Sequence, residues 1–179
     1  QTLQEGTFVV VMSSVFGSLN GILLSNMGSS IANTPGLMTM YPALTNALGN
    51  IGSIIGSKTT TDIALGYARS FVEELKESGK SIVQVEIPAI FMHIVFAGIS
   101  FTMSRGSGAN LVELVSIALT TNLISFIMVS IFALWSAHLA FQRGLNPDNI
   151  VIPAITSVSD TTATVAVTPA LMITKVLMG

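Results

Sequence analysis

Five long apolar runs, each close to the length that crosses a bilayer, constrain this chain more than any other feature. They cover about 7–27, 36–57, 83–104, 112–138 and 150–178. A helix needs about 20 apolar residues to span the hydrocarbon core. Only 9% of the 179 residues are charged, against roughly a quarter in soluble domains. The expected fold is therefore an all-α polytopic membrane protein of five transmembrane helices, forming one unit over 1–179. The segment 66–81, GYARSFVEELKESGKS, is the strongly charged one, and it reads as a helical extension and turn in water.

Charge sets an expected orientation. Lys58, Arg69, Lys76, Lys80 and Arg143 fall on the side of the N-terminus, Arg105 and Lys175 on the other. The excess of basic residues places the N-terminus and the 58–81 and 139–149 loops in the cytoplasm, and the C-terminus outside. A net charge of −2 offers no basic surface for nucleic acid. With no Cys, disulfides and thiolate metal sites are excluded. No Gly-rich stretch sits in a P-loop context, so nucleotide binding is not expected.

One acid, Asp160, lies inside the last apolar run, NPDNIVIPAITSVSDTTATVAVT (146–168). A carboxylate in mid-bilayer is costly unless it is protonated, wetted, paired or bound to a cation. No basic residue has an evident position from which to pair with it. On a helix, Thr156, Ser159, Asp160, Ala163 and Thr164 form one small polar face, with Val158 and Val165 opposite. Such a stripe suits a cation pathway. The plainer alternative is an acid that caps or bonds a neighbouring helix. Span two carries a matching face of Asn46, Gly49, Asn50, Ser53 and Ser57. Its glycines alone would make a packing seam. The amides supply oxygens suited to a hard cation or to water. Thr59, Thr60, Thr61 and Asp62 mark the expected cytoplasmic exit.

Other polar residues admit several readings. PALT (42–45) and PAIT (153–156) echo each other across spans that run in opposite directions, a hint of an inverted repeat. Pro42, Pro88 and Pro153 can kink helices. Asp148 or Asn149 can cap the last helix, and Asp148 can equally draw cations to a cytoplasmic mouth. Glu86 and His93 share a face of span three. They fit a proton relay or metal contact, or more simply an interfacial acid and an interhelical hydrogen bond. Glu113 suits a helix N-terminus. Tyr41 and Trp135 suit interfacial anchoring. An intramembrane hydrolase would need a second deep carboxylate or a nucleophile with its base, and neither motif is present. A purely structural subunit would leave Asp160 unexplained.

PALTNALGNIGSIIGSKTTTDIALG (42–66) resembles the second-span signature of MgtE-type magnesium transporters: a Pro, then a Gly-Asn-x-Gly-Ser core, then a polar run ending in Gly. Residues 146–167 resemble the last-span signature, closest to the form in eukaryotic solute-carrier relatives. The resemblance extends over essentially the whole chain. It implies a homodimer in a cell membrane whose second and fifth helices line a pore for divalent cations, Mg²⁺ first. It implies that Asp160 binds a largely hydrated Mg²⁺, that Asn50 and Gly49 line the pathway, and that Thr156 offers a carbonyl. Asn46, Ser53, Ser57, Ser159, Thr164 and Asp148 would border the route. No cofactor is implied; Mg²⁺ is cargo. A proton- or sodium-coupled exchanger on the same scaffold is the alternative. Bacterial members usually carry cytoplasmic sensor domains, and none lies within these residues. Ile54 and Ile55 depart from the residues that often follow the Gly-Ser.

Overall fold

A computed structural model describes residues 2–67 and 71–178. They form five α-helices, with no strand among them: α1 Thr2–Ala32, α2 Leu37–Ala64, α3 Phe71–Ser104, α4 Leu111–Gln142 and α5 Pro147–Met178. Most helix ends run past the expected apolar spans. The charged segment is largely the first turns of α3 rather than a loop. Arg69, one of the residues used to orient the chain, lies outside the described residues.

By length and composition, α1, α3, α4 and α5 are each apolar enough to cross a membrane. The expectation that all five would qualify needs a correction for α2. Its Asn, Ser and Thr residues and Lys58 make its 28 residues too polar by that measure. It nevertheless packs against α3, α4 and α5, so its place in the bundle comes from its buried face.

The chain runs up and down. One end of the core joins the start of α2 (Leu37, Met40, Leu44), the end of α3 (Ala97), the start of α4 (Leu114, Ile117) and the end of α5 (Val167, Leu171). The other joins Leu48, Ile51 and Ile55 of α2 to Ala89, Val129, Ala133, Val151 and Ile155. α4 is central, with Leu114, Ile117, Val129 and Leu134 fully buried. α1 is peripheral and packs chiefly on α5. Its outer face of Val10, Val11, Val15, Leu19 and Ile22 is exposed, as a lipid-facing helix requires.

Short links keep consecutive helices adjacent. Asn110 caps α4, its Oδ1 accepting from the Val112 and Glu113 N–H groups at 2.9 and 3.4 Å. Gly36, between α1 and α2, has φ +92°, and an added Cβ would lie 2.9 Å from both Leu114 Cδ1 and Ser100 Oγ. Its carbonyl also accepts from Ser100 Oγ. Gly36→Ala is therefore expected to lose at least about 1–2 kcal/mol from the left-handed backbone alone. A lowered melting temperature in detergent would show it; an unchanged one would contradict this account of the turn.

Candidate cation site

The glycines of α2 bring its backbone onto α5 and α4. A Cβ on Gly52 would stand 2.4 Å from Ile155 Cγ2 and 2.5 Å from Val129 Cγ1. A Cβ on Gly49 would meet Thr156 Cγ2 at 3.7 Å, an ordinary contact. α2 and α5 thus cross near Gly49–Gly52 and Ile155–Ser159. The small residues act as a packing seam, as one reading of the sequence held.

Beside that seam each helix carries its own polar residues, and the two strips are joined where Gly49 meets Thr156. On α2, Asn46, Asn50 and Ser57 are exposed and Ser53 is half-buried, its hydroxyl donating to the Gly49 carbonyl at 2.8 Å. On α5, Thr156 and Asp160 are exposed one turn apart. Thr156 donates to the Pro153 carbonyl at 2.9 Å, which uses the hydroxyl proton and leaves the oxygen lone pairs free to accept. The ion pair present among the described residues is Lys58 with Asp62, so Asp160 has no basic partner there. Asp62, at the expected exit, pairs with Lys58. A shallow groove of about 680 Å³ runs along α2 past Asn50, Ser53, Ser57 and Asp62.

The predicted α5 face divides. Ser159, Ala163 and Thr164 are buried. Ser159 donates to the Ile155 carbonyl at 2.7 Å. Thr164 bridges three helices, with Tyr41 Oη and Asn20 Oδ1 both in hydrogen-bond contact with its hydroxyl. Tyr41 is accordingly a buried bridge between α2 and α5 rather than an interfacial anchor. Asn20 had escaped notice, although an amide in the apolar run of α1 was a visible signal, as Asn26 was. Asp148 falls in the first turn of α5, and its side chain lies outside the described residues. Asn149 bonds Glu5 Oε2 through Nδ2 at 3.0 Å, fastening the start of α5 to α1.

A second groove, about 490 Å³, opens between α2 and α3. It places Gln84, another residue unremarked in the sequence, beside Asn46 and Asn50, with Pro88, Met92 and Phe96 as the apolar wall.

Asp160, Asn50, Asn46 and the hydroxyls offer oxygen only, the donor type that hard divalent cations prefer. No group of three His, Cys, Asp or Glu side chains forms a chelating cluster among the described residues. One acid per chain, flanked by neutral oxygens, suits an ion that keeps its water and moves on.

Comparison with known proteins agrees with this chemistry. No curated protein and no solved structure matches the chain. The family model for MgtE, described as a divalent cation transporter, matches residues 41–168. The match begins at the first buried turns of α2, ends beyond Asp160 and Thr164, and spans well over half of the sequence. Both polar faces fall within it, and the chain belongs to the MgtE family of divalent cation transporters.

Proposed function

We infer that this chain carries Mg²⁺, ahead of other divalent cations, across a cell membrane through a pore lined by α2 and α5 of a homodimer. Asp160 is the ion-binding acid. Asn50, Gly49 and the Thr156 carbonyl border it, and Asn46, Ser53 and Ser57 continue the route along α2. In this reading 1–179 is one transmembrane unit with a cytoplasmic N-terminus.

The observation that carries the reading is the exposure of Asn46 and Asn50 on α2 and of Thr156 and Asp160 on α5, two helices that meet where Gly49 contacts Thr156. Facing lipid, the acid alone would cost at least about 2.5–3.5 kcal/mol. A second copy laid against that face removes it from lipid and brings a second acid. Two carboxylates near one axis repel, and that repulsion favours a divalent over a monovalent ion. Mg²⁺ gives up its water reluctantly, which fits a wide, hydrated site with few protein ligands.

The absence of native Cys makes the dimer directly testable. Thr156→Cys is expected to form a disulfide-linked dimer in membranes under mild oxidation, because pairing through this face sets the two copies of Thr156 across one axis and oxidation traps their closest approaches. Mg²⁺ should slow the reaction. A single-cysteine chain that stays monomeric under oxidation, while Cys positions on the outer face of α1 behave alike, would reject the shared pore.

A further inference from the structure

Six of the seven buried side-chain polar atoms that lack a partner among the described residues sit on α3 and α4, away from the α2–α5 strip. Two of them belong to one pair. Asn122 Nδ2 donates to Glu86 Oε1 at 2.6 Å. The remaining atoms of the same two groups, Glu86 Oε2 and Asn122 Oδ1, have no partner. An ionised carboxylate only accepts, and so does an amide oxygen. As a carboxylate, Glu86 would therefore leave one buried acceptor unmet beside the unmet acceptor of the amide it already bonds. Leaving such atoms unmet is costly.

One hydrogen resolves both. A proton on Oε2 makes Glu86 a donor to Asn122 Oδ1 while Oε1 keeps the Nδ2 hydrogen. The acid and the amide then close a two-bond ring between the helices. The other unpartnered groups on these two helices carry no fixed charge. His93, buried two turns further along α3, bonds the Ala89 carbonyl through Nδ1 at 2.7 Å and leaves Nε2 unpartnered. Thr121 and Ser125 of α4 have free hydroxyls on the stretch around Asn122.

Among the described residues no charged side chain bonds Glu86; Lys76 and Lys80 of its own helix are exposed and stand ahead of it along the chain. On α4, Glu113 stands in the first turn, and His138 lies near the far end, bonded to Gln142 at 2.9 Å. On α2, Lys58 and Asp62 neutralise each other, and Tyr41 is bonded to Thr164. The α2 side chains that join Ala89 in the core are Leu48, Ile51 and Ile55, all apolar.

We propose that Glu86 and Asn122 form a proton-binding site between α3 and α4, and that cation transport responds to its occupancy. Proton binding adds H⁺ from water to Glu86 Oε2 and closes the ring. Release returns H⁺ to water and leaves two opposed acceptors that push α3 from α4. Because α3 also lines the groove beside Asn46 and Asn50 through Gln84 and Pro88, its position bears on the cation route. The site rests on the family-level transport activity and not on the assignment of Asp160.

The test uses Glu86→Gln, which keeps the shape and places an N–H where the proton would be, so the Asn122 ring persists without a titratable group. Infrared difference spectra of the full chain are recorded in the Asp160→Asn background, to remove the other membrane acid. The expected result is a carboxylic-acid C=O stretch that vanishes in the double variant Asp160→Asn/Glu86→Gln. Separately, divalent cation flux through the chain with native Asp160 should vary with pH, and Glu86→Gln should flatten the profile while the protein elutes as folded. A spectrum that Glu86→Gln leaves unchanged overturns the proton site and assigns the free atoms to ordered water or a metal cation. A flux profile that keeps its pH dependence in Glu86→Gln overturns the link to transport. The infrared arm reads Glu86 wherever the cation passes, so its failure is distinct from a failure of the Asp160 pathway.

Discussion

Asp160→Asn is expected to abolish Mg²⁺ uptake into proteoliposomes while leaving the chain folded. The wild type, with no other ion gradient, should take Mg²⁺ up. The reasoning separates the two effects. The Asp160 side chain is exposed and has no basic partner among the described residues, so the fold loses little when its charge goes. The shape of Asn is almost the same. In the proposed dimer the ion, by contrast, loses a charged acceptor from each of two subunits. A hydrogen bond to a charged group is worth about 1.5–3 kcal/mol. Losing one per subunit implies a fall of at least about a hundredfold, at a factor of ten for each 1.4 kcal/mol. A folded Asp160→Asn protein with wild-type flux would remove Asp160 from the pathway. If the folded wild type also fails to take up Mg²⁺, passive flow is rejected, and imposed proton and sodium gradients would then identify a coupled exchanger.

The bundle was legible because lipid leaves a chain few options. Apolar runs of bilayer length announce helices whatever their neighbours, and the five helices follow those runs. α2 was harder, since its polar residues lower its apolarity and only its buried side reveals how it is held. The site was legible as a pair of faces. Helical spacing grouped Asn46, Asn50, Ser53 and Ser57, and it grouped Thr156 with Asp160. It could not tell which edge of a face meets a neighbour. Ser159 and Thr164 share the Asp160 face by spacing, yet both turn inward. Thr164 does so because Tyr41 and Asn20 stand opposite it on two other helices, a fact that no local pattern contains. His93 is a similar case. An interhelical bond was one expectation, but Nδ1 turns back to Ala89 of its own helix. Glu86 was expected at the cytoplasmic interface, and its partner on α4, Asn122, was not foreseen. Spacing within one helix is blind to partners 36 residues away.

Gly52→Ala should produce the largest loss of stability among the α2 glycine variants, and the reason lies in what surrounds the new methyl. It would come 2.4 Å from Ile155 Cγ2 and 2.5 Å from Val129 Cγ1. Both are branches at Cβ, and a β-branched side chain on a helix has essentially one χ1 rotamer. Neither can swing aside, so α2 must move off α5 and α4. Overpacking of this kind costs about 1–3 kcal/mol. At Gly56 the nearest atom, 2.5 Å away, is Ile155 Cδ1, the far end of a flexible chain, with Val151 Cγ1 at 3.2 Å. Gly56→Ala should therefore cost less. At Gly49 the added methyl would lie 3.7 Å from Thr156 Cγ2, and stability should hold. Melting temperatures in detergent are expected to fall in the order Gly49→Ala, Gly56→Ala, Gly52→Ala, from highest to lowest. Equal losses at all three would deny that the close approach is centred on Gly52. The same series separates packing from pathway. A Gly49→Ala protein with wild-type stability and reduced Mg²⁺ flux would place Gly49 on the ion route, whereas full flux would leave it a spacer that lets α2 approach Thr156 of α5.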